Sequence, residues 1–337
     1  MDQPLKRTAV QAFKLLVPVV LVVWLLYTLD PKQVEQLAER DKNWLHLSLS
    51  VGLILSGVLI SFYRWYLILH SIGIQFRRRD AIRLGFLGYF FNFVMIGSVG
   101  GDLFKAVFIA REQPTRRAEV VASVVVDRVI GLLALLVLTS IAIIIFDFRA
   151  TTVEIQMVCW GTLGCTAVGV VGLALLMIPA VTNNPLVNKL TTIPRAGRIL
   201  KKLMDAWMTV RGQPQMLIKI ISISFCIHGL TALGVIGIAT SLFDNPPTPL
   251  EHLIIVPLSN VASSIPISPA GLGTFEIAMD ELYKYLPKNP TDASGRIVAF
   301  GFRIATIVVA LVGVVVYWFS KQDFDRVLAR AKSDEEK

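Results

Sequence analysis

Several ionisable side chains sit in or beside segments that are otherwise strongly apolar: Arg64, Asp102, Lys105, Asp127, Arg128, Glu276 and Arg303. A charge held at membrane depth is costly and is kept where it is paired or where function needs it. Asp102 and Lys105 are spaced to share one helical face, so a local ion pair would neutralise both, and Asp102 at a helix start could equally be an N-cap or touch a ligand. Asp127 and Arg128 are adjacent, hence about 100° apart on a helix, so each needs a partner on a neighbouring element; for Arg128 that is a carboxylate or a phosphate. Glu276 lies among Phe275, Ile277 and Ala278, where a function outweighs simple capping. Arg303 lies inside the last apolar run. Arg64, in Phe62-Tyr-Arg-Trp-Tyr66, either faces the same cavity or snorkels to headgroups. Basic groups outnumber acidic ones in this set, which favours an anionic ligand. Guanidinium matches phosphate bidentately, so a phospholipid or polyprenyl-phosphate headgroup suits it.

The elements that must position these groups contain two similar interruptions, Ser98-Val-Gly-Gly-Asp-Leu-Phe-Lys105 and Ser268-Pro-Ala-Gly-Leu-Gly-Thr-Phe-Glu276. Gly97, Gly100 and Gly101 permit a tight turn in the first; Pro266 and Pro269 stop a helix and Gly271 and Gly273 turn the chain in the second. Irregular backbone is tolerated at membrane depth only where it lines a cavity, and paired breaks in two halves of a chain point to a transport site. Half-helix N-termini at the breaks add positive potential.

The chain around the breaks is a membrane protein by composition. Mean hydropathy is +0.64, only 17% of the 337 residues are charged, and apolar runs recur at the length that crosses a hydrocarbon core. The net charge of +9 follows from Lys and Arg in segments 1–14, 77–83, 111–117, 183–212 and 321–337, which read as cytoplasmic, and it carries no nucleic-acid pattern. Spans are expected at 13–29, 44–70, 118–146, 156–178, 216–243 and 297–319. The first resembles a signal peptide but lacks a cleavage site and is expected to remain; 31–43 should form a short external helix and 183–212 a basic amphipathic segment. Segments 77–83 and 111–117 lie on one side with too little chain between them for two full spans. A re-entrant hairpin over about 80–111, with half-helices near 80–97 and 102–111, resolves this, and a second over about 250–286 opens to the outside. The expected fold is therefore an all-α polytopic membrane protein, an inverted repeat of two halves, each with three spanning helices and one re-entrant helical hairpin. The halves are 1–150 and 151–337, with both termini cytoplasmic. The competing reading is kinked helices in an ordinary bundle.

Three elements, Gly100-Gly-Asp-Leu-Phe-Lys105, Val126-Asp-Arg-Val-Ile-Gly131 and Pro269-Ala-Gly-Leu-Gly-Thr-Phe-Glu276, resemble, in order and spacing, the transmembrane flippase domain of lysylphosphatidylglycerol synthase, the multiple peptide resistance factor, and its standalone relatives. The resemblance covers nearly the whole chain. It implies movement of lipids such as aminoacylated phosphatidylglycerol across the cytoplasmic (inner) membrane, with polyprenyl-phosphate glycolipids or hopanoids in other relatives. The synthase's soluble aminoacyl-transferase domain is expected to be missing, since 321–337 is a short polar stretch, so lipid aminoacylation is not implied.

Other chemistries find less support. Cys159, Cys165 and Cys226 lack CxxC spacing and His46, His70, His228 and His252 are scattered, so no metal or cofactor is expected. There is no GxxxxGK[ST] loop, and Gly271-Leu-Gly273 is no dinucleotide fingerprint. The expected function is translocation, by alternating access, of a lipid with an anionic headgroup, through Arg64, Gly100, Gly101, Asp102, Lys105, Asp127, Arg128, Pro269, Gly271, Gly273, Glu276 and Arg303. The alternative is an integral-membrane enzyme using Asp102, Asp127 and Glu276 on a lipid phosphate. Membrane lipids are the expected partners, not nucleic acid; a homo-oligomer and a separate lipid-modifying enzyme stay open.

Overall fold

The computed structural model describes residues 42–74, 77–94, 100–112, 116–147, 152–179, 211–264 and 271–313, together with 35, 204, 207–209 and 315. Among these residues all regular structure is helical. In chain order the helices are α1 (Trp44–Ser71), α2 (Arg78–Val94), α3 (Gly100–Glu112), α4 (Arg117–Phe146), α5 (Val153–Met177), α6 (Pro214–Leu242), α7 (Pro249–Ser264), α8 (Thr274–Tyr285) and α9 (Gly295–Gly313). The span expected at 13–29, most of 31–43 and of 183–212, and the turns at 95–99 and 265–270 lie outside the described residues, Pro269 among them.

Two length classes emerge. α1, α4, α5, α6 and α9 are long and apolar enough to cross a membrane, and their bounds follow the expected spans. Their outward faces are apolar: Ile144 is 70% exposed and Val168 75%, an arrangement suited to hydrocarbon and not to water. α2, α3, α7 and α8 have 17, 13, 16 and 12 residues, or about 18–25 Å at 1.5 Å per residue, short of a core about 30 Å thick. They pack in pairs, α2 on α3 and α7 on α8. α3 starts at Gly100, two residues before the expected Asp102, which therefore lies inside the first turn and not at the cap.

The most extensive helix contact joins α1 to α6. Glycine makes it close: a Cβ added at Gly237 would come within 2.2 Å of Ser50 Oγ, and one at Gly234 within 2.7 Å of Ile54. At one end of this pair the C-terminal carbonyls of α1 are satisfied from outside the helix, Ile72 and Gly73 by Arg116 and Ser71 by Gln213, which ties the starts of α4 and α6 to the end of α1. Among the described residues two large apolar cores result, with a small third cluster of Phe93, Ile307 and Ala310. One gathers Trp65, Ile68, Leu84, Ile109, Val120 and Ile220 around α2 and α3; the other gathers Ile143, Ile238, Ile254, Phe275, Met279 and Phe302 around α7 and α8. Each core thus encloses one short pair and is walled by α1, α4 and α6.

Candidate site: three ion-pair networks at the helix breaks

The first network forms where α3 leaves the break. Asp102 bonds Lys105 at 2.6 Å along its own helix and Arg128 of α4 across the gap. The expected ion pair Asp102–Lys105 is present, and its carboxylate is shared with a second helix. Lys105 Nζ also stands over the Trp65 ring of α1, 4.9 Å from its centroid. α3 reaches this position because Gly101 crosses Gly88 of α2 without side chains: a Cβ on Gly101 would lie 1.7 Å from the Gly88 carbonyl oxygen. Gly100 is buried beside it. The Gly101 N–H, one of the orphan donors of a helix start, donates to Asn92 Oδ1 at 2.8 Å.

A second network sits one residue away on both walls. Arg64 of α1 donates from Nε and Nη2 to the two oxygens of Asp127 at 2.8 and 3.0 Å, and from Nη1 to Ser224 Oγ of α6 at 2.9 Å. This fork-to-fork pair consumes both carboxylate oxygens. Its guanidinium lies against Gly131, where an added Cβ would be 3.1 Å from two of its nitrogens, and the Gly131 carbonyl meets His228 Nε2 at 2.9 Å. Arg64 is 7% exposed, so snorkelling to headgroups is corrected: the side chain turns inward to a carboxylate. Adjacent residues on α1, Arg64 and Trp65, and on α4, Asp127 and Arg128, are divided between the two networks, which therefore form one closed circuit linking α1, α3, α4 and α6.

The third network repeats the first at the other break. Gly271 and Gly273 have φ of 68° and 86°, the left-handed region that favours glycine. Glu276, in the first turn of α8, accepts from the Gly273 N–H at 2.7 Å through Oε2 and from Arg303 Nε and Nη2 of α9 at 2.8 Å through Oε1. Glu276 thus both caps its helix and binds an arginine on the next span. Arg303 lies over Phe275, 5.7 Å from the ring centroid, and Tyr89 of α2 stands within its electrostatic reach. The parallel with Asp102 and Arg128 is close: carboxylate and arginine are 26 residues apart in one case and 27 in the other.

The two equivalent pairs differ in exposure. The Arg128 side chain is 44% exposed, that of Arg303 6%. The first guanidinium is thus partly accessible, while the second is enclosed.

The structure brings all the expected site residues it describes to one of these networks. Sequence reasoning missed Asn92, Ser224 and His228. For Ser224 a signal existed, because Ile60-Ser-Phe62 beside Arg64 recurs as Ile223-Ser-Phe225 on α6. Among the described residues no three His, Cys, Asp or Glu side chains gather where they could hold a metal ion. Away from the networks, a cavity of about 520 Å³ lies at the α8–α9 connection beside Lys284, Lys288 and Asn289.

In comparison with known proteins, the family model described as the lysylphosphatidylglycerol synthase TM region matches residues 11–313, from the first apolar run to the end of α9. No curated protein and no solved structure gives a significant match.

Proposed function

This chain belongs to the lysylphosphatidylglycerol synthase transmembrane-region family, and from that premise, which carries a membrane lipid-related function, we propose that it is a lipid translocase. Its cargo is a phospholipid or polyprenyl-phosphate-type lipid with an anionic headgroup, moved across the cytoplasmic membrane by alternating access. The two short helix pairs are then re-entrant hairpins of an inverted repeat, one per half. Their insufficient length, their position beside Gly-rich breaks and the recurrence of a carboxylate–arginine bridge at each support that reading.

The observation that carries it is the unequal exposure of Arg128 and Arg303. Asp102 is held by Lys105 as well as by Arg128, so a lipid phosphate can take over the Arg128 guanidinium without stranding the carboxylate. The arriving phosphate takes the group of Asp102, Lys105 and Arg128 from one net positive charge to none, and Lys105 keeps Asp102 paired, so no buried charge is left uncompensated at several kcal/mol. In this conformation the first bridge receives the headgroup and the enclosed Glu276–Arg303 bridge is the latch; in the opposite conformation the roles exchange. Arg64 and Asp127 hold the walls in place.

The test is reconstitution in liposomes with fluorescent phosphatidylglycerol and candidate polyprenyl phosphates, with leaflet transfer measured by a membrane-impermeant quencher. Wild-type protein is expected to equilibrate one of these lipids. Folded Arg128→Ala, Arg303→Ala and Glu276→Gln proteins with wild-type rates would remove the bridges from the mechanism. Chemically altered lipid in the mass spectrum would replace translocation with the enzyme reading.

A further inference from the structure

Away from the three networks, α1 carries Tyr63, Tyr66 and His70 at the spacing of a single helical stripe. Their rings form a ladder. Tyr63 and Tyr66 stack with centroids 5.9 Å apart and planes 18° apart, and Tyr66 and His70 with centroids 6.0 Å apart and planes 12° apart. Each tyrosine carries a cation from a different helix. Lys219 Nζ of α6 stands 5.6 Å from the Tyr63 centroid and donates to the Tyr63 hydroxyl at 3.4 Å, and the Arg78 guanidinium of α2 stands 5.8 Å from the Tyr66 centroid. Both cations are exposed, and among the described residues no carboxylate lies within ion-pair distance of either. The acidic residue in the first turn of α2, Asp80, lies 3.9 Å from Arg83 instead. Arg64, Lys105, Arg128 and Arg303 are committed to carboxylates. Lys219 and Arg78 are held on rings, and an ammonium and a guanidinium each present several donors.

We propose that this ladder is a binding site, separate from the ion-pair networks, for the phosphate of an anionic phospholipid in the leaflet it faces. Depth supports it. Tyr63 and Tyr66 lie about 12 and 8 Å from the end of α1, and Lys219 about 8 Å from the start of α6, at 1.5 Å per residue. Helices of 28 and 29 residues that cross a core about 30 Å thick put these side chains at the boundary of hydrocarbon and headgroups. Tyrosine suits that boundary, and each Lys or Arg beside it attracts anionic lipid. The lipid phosphate accepts from Lys219 and Arg78, and the upper part of its acyl chains lies along the rings. A free phosphate gains nothing from the rings, which is why the occupant is a lipid. Bound there, it joins the start of α2 to the α1–α6 pair. The leaflet is the cytoplasmic one in the topology expected from the basic segments, and nothing else in the inference depends on that reading or on lipid transport.

Native mass spectrometry of the full chain in detergent tests the site, with dioctanoyl phosphatidylglycerol, dioctanoyl phosphatidylcholine or inorganic phosphate added. An Arg128→Ala background removes lipid held at the Asp102 bridge from the count. One retained phosphatidylglycerol per chain is expected in that background. Lys219→Gln or Arg78→Gln should weaken it about fivefold, and the two together about thirtyfold, while Lys219→Arg keeps it. Both substitutions alter exposed side chains, so folded protein is expected. Arg79→Gln removes the same charge one residue along α2 and is expected to leave the affinity in place. Unchanged affinity in the double variant overturns the proposal, as does phosphatidylcholine held equally well or inorganic phosphate displacing the lipid at equal concentration. An equal loss with Arg79→Gln also overturns it, by showing diffuse surface charge. Failure to move lipid in liposomes with this binding intact sinks the translocase reading alone, whereas translocation without it sinks the ladder site alone.

Discussion

Arg64 shows what a guanidinium needs inside an apolar bundle: two carboxylate oxygens and a hydroxyl from three different helices. Asp127→Asn is therefore expected to cost about 3–5 kcal/mol, the penalty for leaving one member of a buried pair uncompensated. Arg64→Met combined with Asp127→Leu should recover most of that loss. Thermal unfolding in detergent, followed by aggregation, distinguishes the two. At Arg128 the expected effect is on transport: loss of a charge-assisted bond worth about 1.5–3 kcal/mol lowers the translocation rate about ten- to a hundredfold, and Arg128→Lys lies between, since an ammonium lacks the fork. These residues were legible by type. That Asp127 and Arg128 must find partners on separate helices followed from their adjacency. Which partners they find did not, because it depends on how α1, α3 and α4 pack, and no local pattern encodes that.

At the scale of elements, the α2–α3 crossing depends on one missing side chain. Gly101→Ala would put a methyl group 1.7 Å from the Gly88 carbonyl oxygen, so the helices must separate and the Asp102–Arg128 bridge must break. A loss of about 3 kcal/mol or more is expected, the upper end of overpacking, read as a lower melting temperature and less folded protein after extraction. Topology belongs to the same scale: cysteines near residues 80 and 114 should both react from the cytoplasm, and those near 247 and 290 both from outside. Opposite labelling within either pair rules out that hairpin. Long apolar runs bounded by charge located the five long helices among the described residues to within a few residues at their described ends. α3 begins at Gly100, two residues before the expected 102, so Asp102, for which capping, local pairing and ligand contact all stood open, lies in the first turn with its carboxylate drawn to Lys105 and Arg128.

For the whole molecule, the broad class was the most legible feature, since mean hydropathy and the length of apolar runs decide it before any packing is known. The carboxylate at each break was also visible in the sequence. The sharing of Asp102 between Lys105 and Arg128 and the enclosure of Arg303 were not, because exposure is a property of the assembled helices. The close contact of α1 with α6 was equally hidden: Gly57, Gly234 and Gly237 lie within runs that read as ordinary spans. That contact also limits how the protein can change shape. Helices that meet through glycine, with Ser50 and Ile54 set against bare backbone, lose close dispersion contacts along their length if drawn apart, whereas a small roll about the common line keeps most of them. The pair is an axle. A roll of the outer helices about this line would keep its contacts, as two leaves turn on a single pin.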